Sequence, residues 1–353
     1  MAGIKTANVI GLGLIGGSVA AGLKARGWTV CGSDRDPARE SEAMSRGITD
    51  SAGLDPDAAI TFVATPVKAI AEGVRMALSA THGLVTDVGS VKAPLSREFD
   101  DERYIGGHPM AGSELDGLDG ADPSLFEGAV WIVTPRRGTT DVRFAELAGV
   151  IRELGAEVIA LPAEKHDELV ATVSHVPHLT AATLMNVAQN QSTEHAALLR
   201  LAAGGFRDMT RIASGSPNIW LDICESNRDA IVTSLTELID GLTEVRAIVA
   251  DGDRVRLLQR LTAARSARTN LPARVASADN LAEIRIAIPD RAGAAAEVFT
   301  LAAELGVNIY NFEIVHSVEG QQGVLLVIVE ESSTDLLRGG LVARGFRPVV
   351  AHL

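Results

Sequence analysis

One histidine lies in a run of small residues, Gly106-Gly107-His108-Pro109-Met110-Ala111-Gly112-Ser113-Glu114. The run follows a short apolar strand signal, Tyr104-Ile105, and its Gly and Pro content marks a loop rather than regular structure. An imidazole with a pKa near ~6.5 takes or gives a proton near neutral pH. His108 is therefore read as a catalytic base at the mouth of an α/β sheet. The structural alternative is that the glycines only form a tight turn, capped by His108.

A second chemical signal lies near the start. Ala7 to Ile10 is an apolar strand, Gly11-Leu12-Gly13-Leu14-Ile15-Gly16 follows, and Gly17 to Leu23 opens a helix. Strand, G-x-G-x-x-G and helix stand in the order of a dinucleotide fingerprint. Gly11 permits the turn, Gly13 lets backbone approach a pyrophosphate, and Gly16 lets helix and strand pack closely. Leu14 and Ile15 lie where the helix N-terminus offers N–H groups to phosphate. The next strand, Thr29 to Gly32, leads to Asp34, placed to bind ribose hydroxyls. Asp34 favours NAD, since a carboxylate repels a 2′-phosphate, whereas Arg35 beside it can pair with one, so NADP stays open.

Further strands at Ala59–Ala64, Leu84–Asp87, Ala129–Thr134 and Glu157–Leu161, several separated by helical stretches, predict a mostly parallel, doubly wound sheet. Ligands in such sheets sit beyond the strand C-termini. This points to Thr65-Pro66 and to Asp87-Val88-Gly89-Ser90-Val91-Lys92. Ser90 is placed to bond substrate or nicotinamide or to orient His108, or else to N-cap the following helix.

From Ala163 the pattern becomes long helices, the first running to about Asn190. At ~100° per residue Asp167, Ser174 and His178 share one direction, His175 is turned away, and Pro177 is expected to kink the helix. The polar line is either a site wall or a satisfied network. A metal site of His166, Asp167, His175 and His178 lacks recognisable ligand spacing, and no metal is expected. Arg207 and Arg211, spaced i, i+4, share a helical face, and arginine suits a carboxylate; the alternative is a surface pair with Asp208 or Glu225. The apolar stripe of Ile231 to Val249 is core or dimer interface. Arg254 to Ala278 reads as a charged helix end running into a linker at 271–280. Leu281 to Leu353 reads βαββαβ, a small ferredoxin-like domain. The expected domains are thus 1–162, 163–270 and 281–353.

The chain has 353 residues, 46% of them hydrophobic and only 4% aromatic, so the core must be mainly Ala, Val, Leu and Ile. A net charge of -13 argues against nucleic acid or anionic membrane as partner and requires locally placed Arg or His for an anionic substrate. Two cysteines make no disulfide framework. With no signal segment and no membrane-length apolar run, a soluble cytoplasmic protein is expected.

These motifs, with Ser174-His175-Val176-Pro177-His178 and Gly204 to Ala213, together resemble the prephenate dehydrogenase (TyrA) family, over nearly the whole chain. Pro289-Asp290-Arg291-Ala292-Gly293 with Gly306-Val307-Asn308-Ile309 resembles an ACT domain. The resemblance implies a Rossmann-type α/β domain, an all-α second domain and an α+β regulatory domain. It implies oxidative decarboxylation of prephenate to 4-hydroxyphenylpyruvate, or of arogenate to tyrosine, with NAD or NADP. His108 then matches the catalytic base, Ser90 its hydrogen-bonding partner, and Arg211 the holder of a substrate carboxylate. Glu114, Asp167, Ser174, His178 and Trp220 match site-wall positions, and Arg207 stands where some members have Lys. A homodimer is expected, with Asp290, Arg291, Gly293 and Asn308 as an effector site, most simply for tyrosine. Two rivals are a 3-hydroxyacid dehydrogenase, which would carry Lys then Asn on the long helix, and a non-enzymatic sensor.

Overall fold

The computed structural model describes residues 5–113, 115–192, 198–270, 281–289, 291, 293–316 and 322–352. The chain forms two compact units, Met1–Leu257 and Leu258–Leu353.

In the first unit the strands are β1 (Thr6–Ile10), β2 (Thr29–Ser33), β3 (Ser51–Ala52), β4 (Ile60–Val63), β5 (Leu84–Asp87), β6 (Gly106–Pro109), β7 (Val130–Thr134) and β8 (Glu157–Ala160). Between them run α1 (Leu14–Ala25), α2 (Pro37–Ser45), α3 (Val67–Ala80), α4 (Ala93–Glu98) and α5 (Asp141–Glu153). β1 to β5 form a parallel sheet in the order β3-β2-β1-β4-β5, and the strand order reverses beside β1. That reversal opens a crevice at the strand C-termini, the ligand position of doubly wound folds. β6, β7 and β8 form a second sheet, joined to β5 by a parallel bridge between Val85 and Tyr104. Val9, Val30, Phe62, Trp131 and Ile151 belong to one buried hydrophobic core, mainly aliphatic but with Trp28, Phe62, Phe126 and Trp131 within it.

The His108 run departs from expectation. Gly106–Pro109 is not a loop but strand β6, antiparallel to β7, with His108 opposite Ile132. The glycines serve close approach rather than a turn. A Cβ on Gly107 would lie 2.7 Å from the Asp87 carbonyl oxygen, and one on Gly106 would lie 2.5 Å from Thr134 Oγ1. Only glycine lets β6 lie flush against the end of β5.

The helical part contains α6 (Ala163–Val170), α7 (Val176–Ser192), α8 (Gly204–Thr210), α9 (Pro217–Ser226), α10 (Arg228–Ala250) and α11 (Arg254–Thr269). The single long helix expected from Ala163 is interrupted by a π turn, Ala171–His175. Pro177 falls in the first turn of α7, just beyond it. The π turn absorbs the break that an uninterrupted helix would express as a kink at Pro177. It also shifts the helical phase, so His175, expected to turn away, is buried. Along α10, Ile231 and Ile248 are buried, whereas Val232, Ile239, Leu242 and Val249 are more than half exposed within the chain, so much of the stripe lies outside the core.

The second unit contains β9 (Leu281–Pro289), α12 (Ala294–Glu304), β10 (Ile309–His316), β11 (Gln322–Glu330), α13 (Glu331–Ala343) and β12 (Pro348–His352). Its sheet is antiparallel in the order β10-β11-β9-β12. The expected βαββαβ order is present. Gly293, at φ 88°, N-caps α12. Arg291 is ion-paired with Glu297 at 2.7 Å, and Asn308 is exposed just before β10. Asp290 and the linker 271–280 lie outside the described residues. No described helix is long and apolar enough to cross a membrane.

Candidate active site

The first half of the site is a glycine cradle. Gly11 adopts φ +93°, and a Cβ there would lie 2.6 Å from the Ala64 carbonyl oxygen at the end of β4. A Cβ on Gly16 would overlap the Gly11 carbonyl oxygen, whereas one on Gly13 meets nothing within 4 Å. Gly11 and Gly16 are therefore required by packing, and Gly13 leaves open space where a diphosphate approaches backbone. Gly13 is the N-cap of α1 and brings no side-chain cap to its first turn, which Leu14 and Ile15 begin. Thr65 and Pro66 border the same crevice from β4, with Pro66 at the N-cap of α3. Asp34 stands just past β2, its Oδ2 accepting from the Leu12 amide at 2.8 Å. These residues fit a dinucleotide.

The second half centres on His108, which is 8% exposed. Its Nδ1 lies 2.9 Å from Nε2 of His166, and Nδ1 of His166 lies 2.7 Å from Oδ1 of Asp167. The tautomers follow from the carboxylate end. Asp167 only accepts, so His166 donates from Nδ1 and accepts at Nε2. His108 then donates from Nδ1 and keeps its lone pair on Nε2. Burial foremost, with His166, Lys92 and His175 nearby, holds the His108 pKa well below its ordinary value. The ring is held neutral, and among the described residues its Nε2 has no hydrogen-bond partner, so that nitrogen can accept a proton.

Asp167 is tied on its other side to the nucleotide fold. Its Oδ1 accepts from the Lys92 amide and its Oδ2 from the Ala93 amide, both at 2.8 Å. The carboxylate caps the N-terminus of α4 from another element. Asp167, expected on the site wall, is instead an anchor behind His166. Ser90 does not cap α4, nor does it take Nδ1 of His108. It stays half-buried in the loop after β5. His166 entered the sequence reading only as a metal ligand. Its pairing with His108 joins residues 58 positions apart, and no local periodicity reports it.

Beneath lies a buried ion pair. Lys92 Nζ binds Asp87 Oδ1, both side chains being fully buried. Asp87 also accepts from Tyr104 Oη at 2.7 Å and from the Gly89 amide at 2.8 Å. Burial lowers the Lys92 pKa and raises that of Tyr104 well above its usual value.

The helical wall holds His175, His178 and Trp220. His178 stacks on Trp220 with ring centroids 3.6 Å apart and 13° between planes. His175 Nδ1 lies 3.3 Å from Nδ2 of Asn227, which also donates to the Asp167 carbonyl at 2.9 Å. Ser174 is half-buried in the π turn. Arg207 and Arg211 do not share one helix: α8 ends at Thr210, and Arg211 begins a 3₁₀ turn packed against α7. Both are exposed, and Arg207 Nε donates to the Ala202 carbonyl at 3.2 Å. Glu225, considered as an arginine partner, pairs with Lys68 at 2.9 Å. Glu114 lies outside the described residues. Among the described residues no three His, Cys, Asp or Glu side chains gather as a metal site.

The buried imidazoles set a pH dependence of stability. Burial lowers the His175 pKa from 6.5 to about 4. The unfolded chain then binds more protons between those values, so stability is full above pH 6.5 and is lost as pH falls towards about 4. Tm is expected to decline already between pH 6.5 and about 5, before most carboxylates titrate. A flat Tm across that interval overturns the assignment.

Residues 19–160 match the model for the prephenate dehydrogenase nucleotide-binding domain, and residues 162–263 match that for the prephenate dehydrogenase dimerization domain. Prephenate dehydrogenase of Bacillus subtilis is 32% identical over 342 residues, 91% of each chain. Cyclohexadienyl dehydrogenase of Zymomonas mobilis is 30% identical over 282 residues, 76% of this chain and 96% of that one. Among solved structures, Aquifex aeolicus prephenate dehydrogenase in complex with hydroxyphenyl propionate and NAD+ superposes with a TM-score of 0.71 at 27% identity, over 76% of this chain and 99% of that one. Synechocystis arogenate dehydrogenase gives 0.66 at 30% identity, over 75% and 99%. Matched by the two domain models in succession and by a relative of 32% identity across most of its length, this chain is a dehydrogenase that belongs to the prephenate dehydrogenase family.

Proposed function

We propose that the chain oxidatively decarboxylates prephenate to 4-hydroxyphenylpyruvate with NAD, using His108 as the base. The observation that carries this reading is the ordered series Asp167, His166, His108, which leaves a lone pair on His108 Nε2. When bound, the cofactor supplies an acceptor for the hydride leaving C4 of the ring. Gly11, Gly13, Leu14, Ile15, Gly16, Asp34, Thr65 and Pro66 hold it. His108 Nε2 takes the proton of the C4 hydroxyl, and Ser90 bonds that hydroxyl. Loss of hydride and of carbon dioxide makes the ring aromatic, and aromatisation drives the step. His178 stacked on Trp220 presents a flat wall with a polar edge. The exposed apolar stripe of α10 lies in the segment that matches a dimerization domain, and a second copy covers it.

Arg211 supplies the fork for a substrate carboxylate, with Arg207 adding positive charge in a chain of net charge -13. Arg211→Ala is expected to raise KM for prephenate about 10–100-fold, the worth of one charge-assisted bond, with a smaller change in kcat. An unchanged KM rejects this role. The overall reading is tested by an activity matrix of prephenate and arogenate against NAD and NADP. Turnover fastest with prephenate and NAD supports it, and turnover confined to arogenate replaces the substrate.

A further inference from the structure

The turn after β2 holds a carboxylate that the reading above does not use. The amide of Asp34 donates to Glu40 Oε1 at 2.8 Å, and the amide of Asp36 donates to Asp34 Oδ1 at 3.0 Å. Glu40 belongs to the first turn of α2 and is folded back, half-buried, onto the end of β2. In this fold the acid at that strand end receives the ribose hydroxyls, and a 2′-phosphate requires donors and cations at the same place. Successive backbone N–H groups are the donors that bind phosphate in such turns. Here the amides of residues 34 and 36 already donate to carboxylates. Arg39, at the start of α2, lies 3.7 Å from Asp34 Oδ2, and Arg35 is exposed in the turn itself. Asp36 accepts from the Ala38 amide as the N-cap of α2, so its side chain has a structural duty of its own. Glu40 carries no such cap.

We propose that Glu40 is a cofactor-specificity residue. It occupies the Asp34 N–H and sets a second negative charge beside the Asp34 carboxylate, so a dinucleotide with a free 2′-hydroxyl is accepted and one with a 2′-phosphate is refused. The inference rests on the NAD reading above, and it places part of the discrimination outside Asp34. The general pattern of this fold, a single acid after β2, does not require it.

Two variants separate charge from donor. Glu40→Gln keeps an acceptor for the Asp34 amide and removes the charge, and Glu40→Ala also frees the amide. Dissociation constants for NAD and NADP are measured by calorimetry on the full chain without substrate, beside kcat/KM for each. Glu40→Gln is expected to tighten NADP binding about tenfold, the scale of one charge removed from beside a dianion, with NAD changed by less than about threefold. Glu40→Ala is expected to gain at least as much. A ratio of the two constants unchanged in both variants overturns the proposal, as does equal weakening of both cofactors, which marks a purely structural role. The wild-type measurement comes first. Tighter binding of NADP than of NAD there refutes the NAD reading itself, before any variant is compared.

Discussion

His108→Asn is expected to lower kcat by about 10²–10⁴-fold, the usual worth of a positioned general base, with KM for prephenate changed far less. Asn keeps a side-chain donor for His166 but has no titrating nitrogen, so the relay persists and the base is lost. Steady-state kinetics at saturating cofactor read this directly, and near-normal turnover rejects the assignment. The wild-type pH profile supplies a second sign. Burial and the surrounding positive and imidazole groups hold the His108 pKa well below 6.5. The base is then unprotonated in the free enzyme throughout the neutral range. The acid limb of kcat/KM is expected below pH 6.5 rather than at it, since that limb reports free-enzyme groups. A limb above pH 7 contradicts the electrostatics of the site.

Lys92→Met is expected to destabilise the fold by about 3–5 kcal/mol, because it strands the Asp87 carboxylate in a buried place. The Tyr104 hydroxyl and the Gly89 amide still donate to that carboxylate, but no positive charge remains to balance it. Urea unfolding followed by tryptophan fluorescence measures the loss. A loss below about 1 kcal/mol, the range of an exposed ion pair, rejects the buried-pair account. Asp87→Asn combined with Lys92→Met removes both charges and is expected to recover much of the loss. Lys92 also helps to depress the His108 pKa, so its removal shifts the acid limb of the remaining activity upwards. The amide of Lys92 meanwhile holds Asp167. One residue therefore ties the stability of the sheet end to the alignment of the base.

Much of this was legible in the chain itself. Local patterns with a fixed period or order are read without tertiary knowledge. The strand, glycine loop and helix around Gly11 to Gly16, the acid after β2, the four further strands and the C-terminal βαββαβ order are of this kind, because each depends on neighbours in sequence. The chemical candidates His108, Ser90, Arg211 and His178 were visible by residue type.

Their partnerships were not, because hydrogen bonds between distant elements leave no periodic trace. Gly106–Pro109 resembles a loop in composition, yet it is a strand, since pairing with β7 and the close approach to Asp87 demand glycine. The polar line computed for an unbroken helix from Ala163 failed at the π turn, where one extra residue rotated His175 inwards. Only the folded chain brought His166 between His108 and Asp167 and gave Asp167 the N-terminus of α4 to cap. Residue types and local patterns reveal which groups are present and, for the glycine loop and the C-terminal unit, which elements carry them. The tertiary structure decided which nitrogen of His108 is free, because burial and the far-off Asp167 carboxylate together fix its tautomer and its charge.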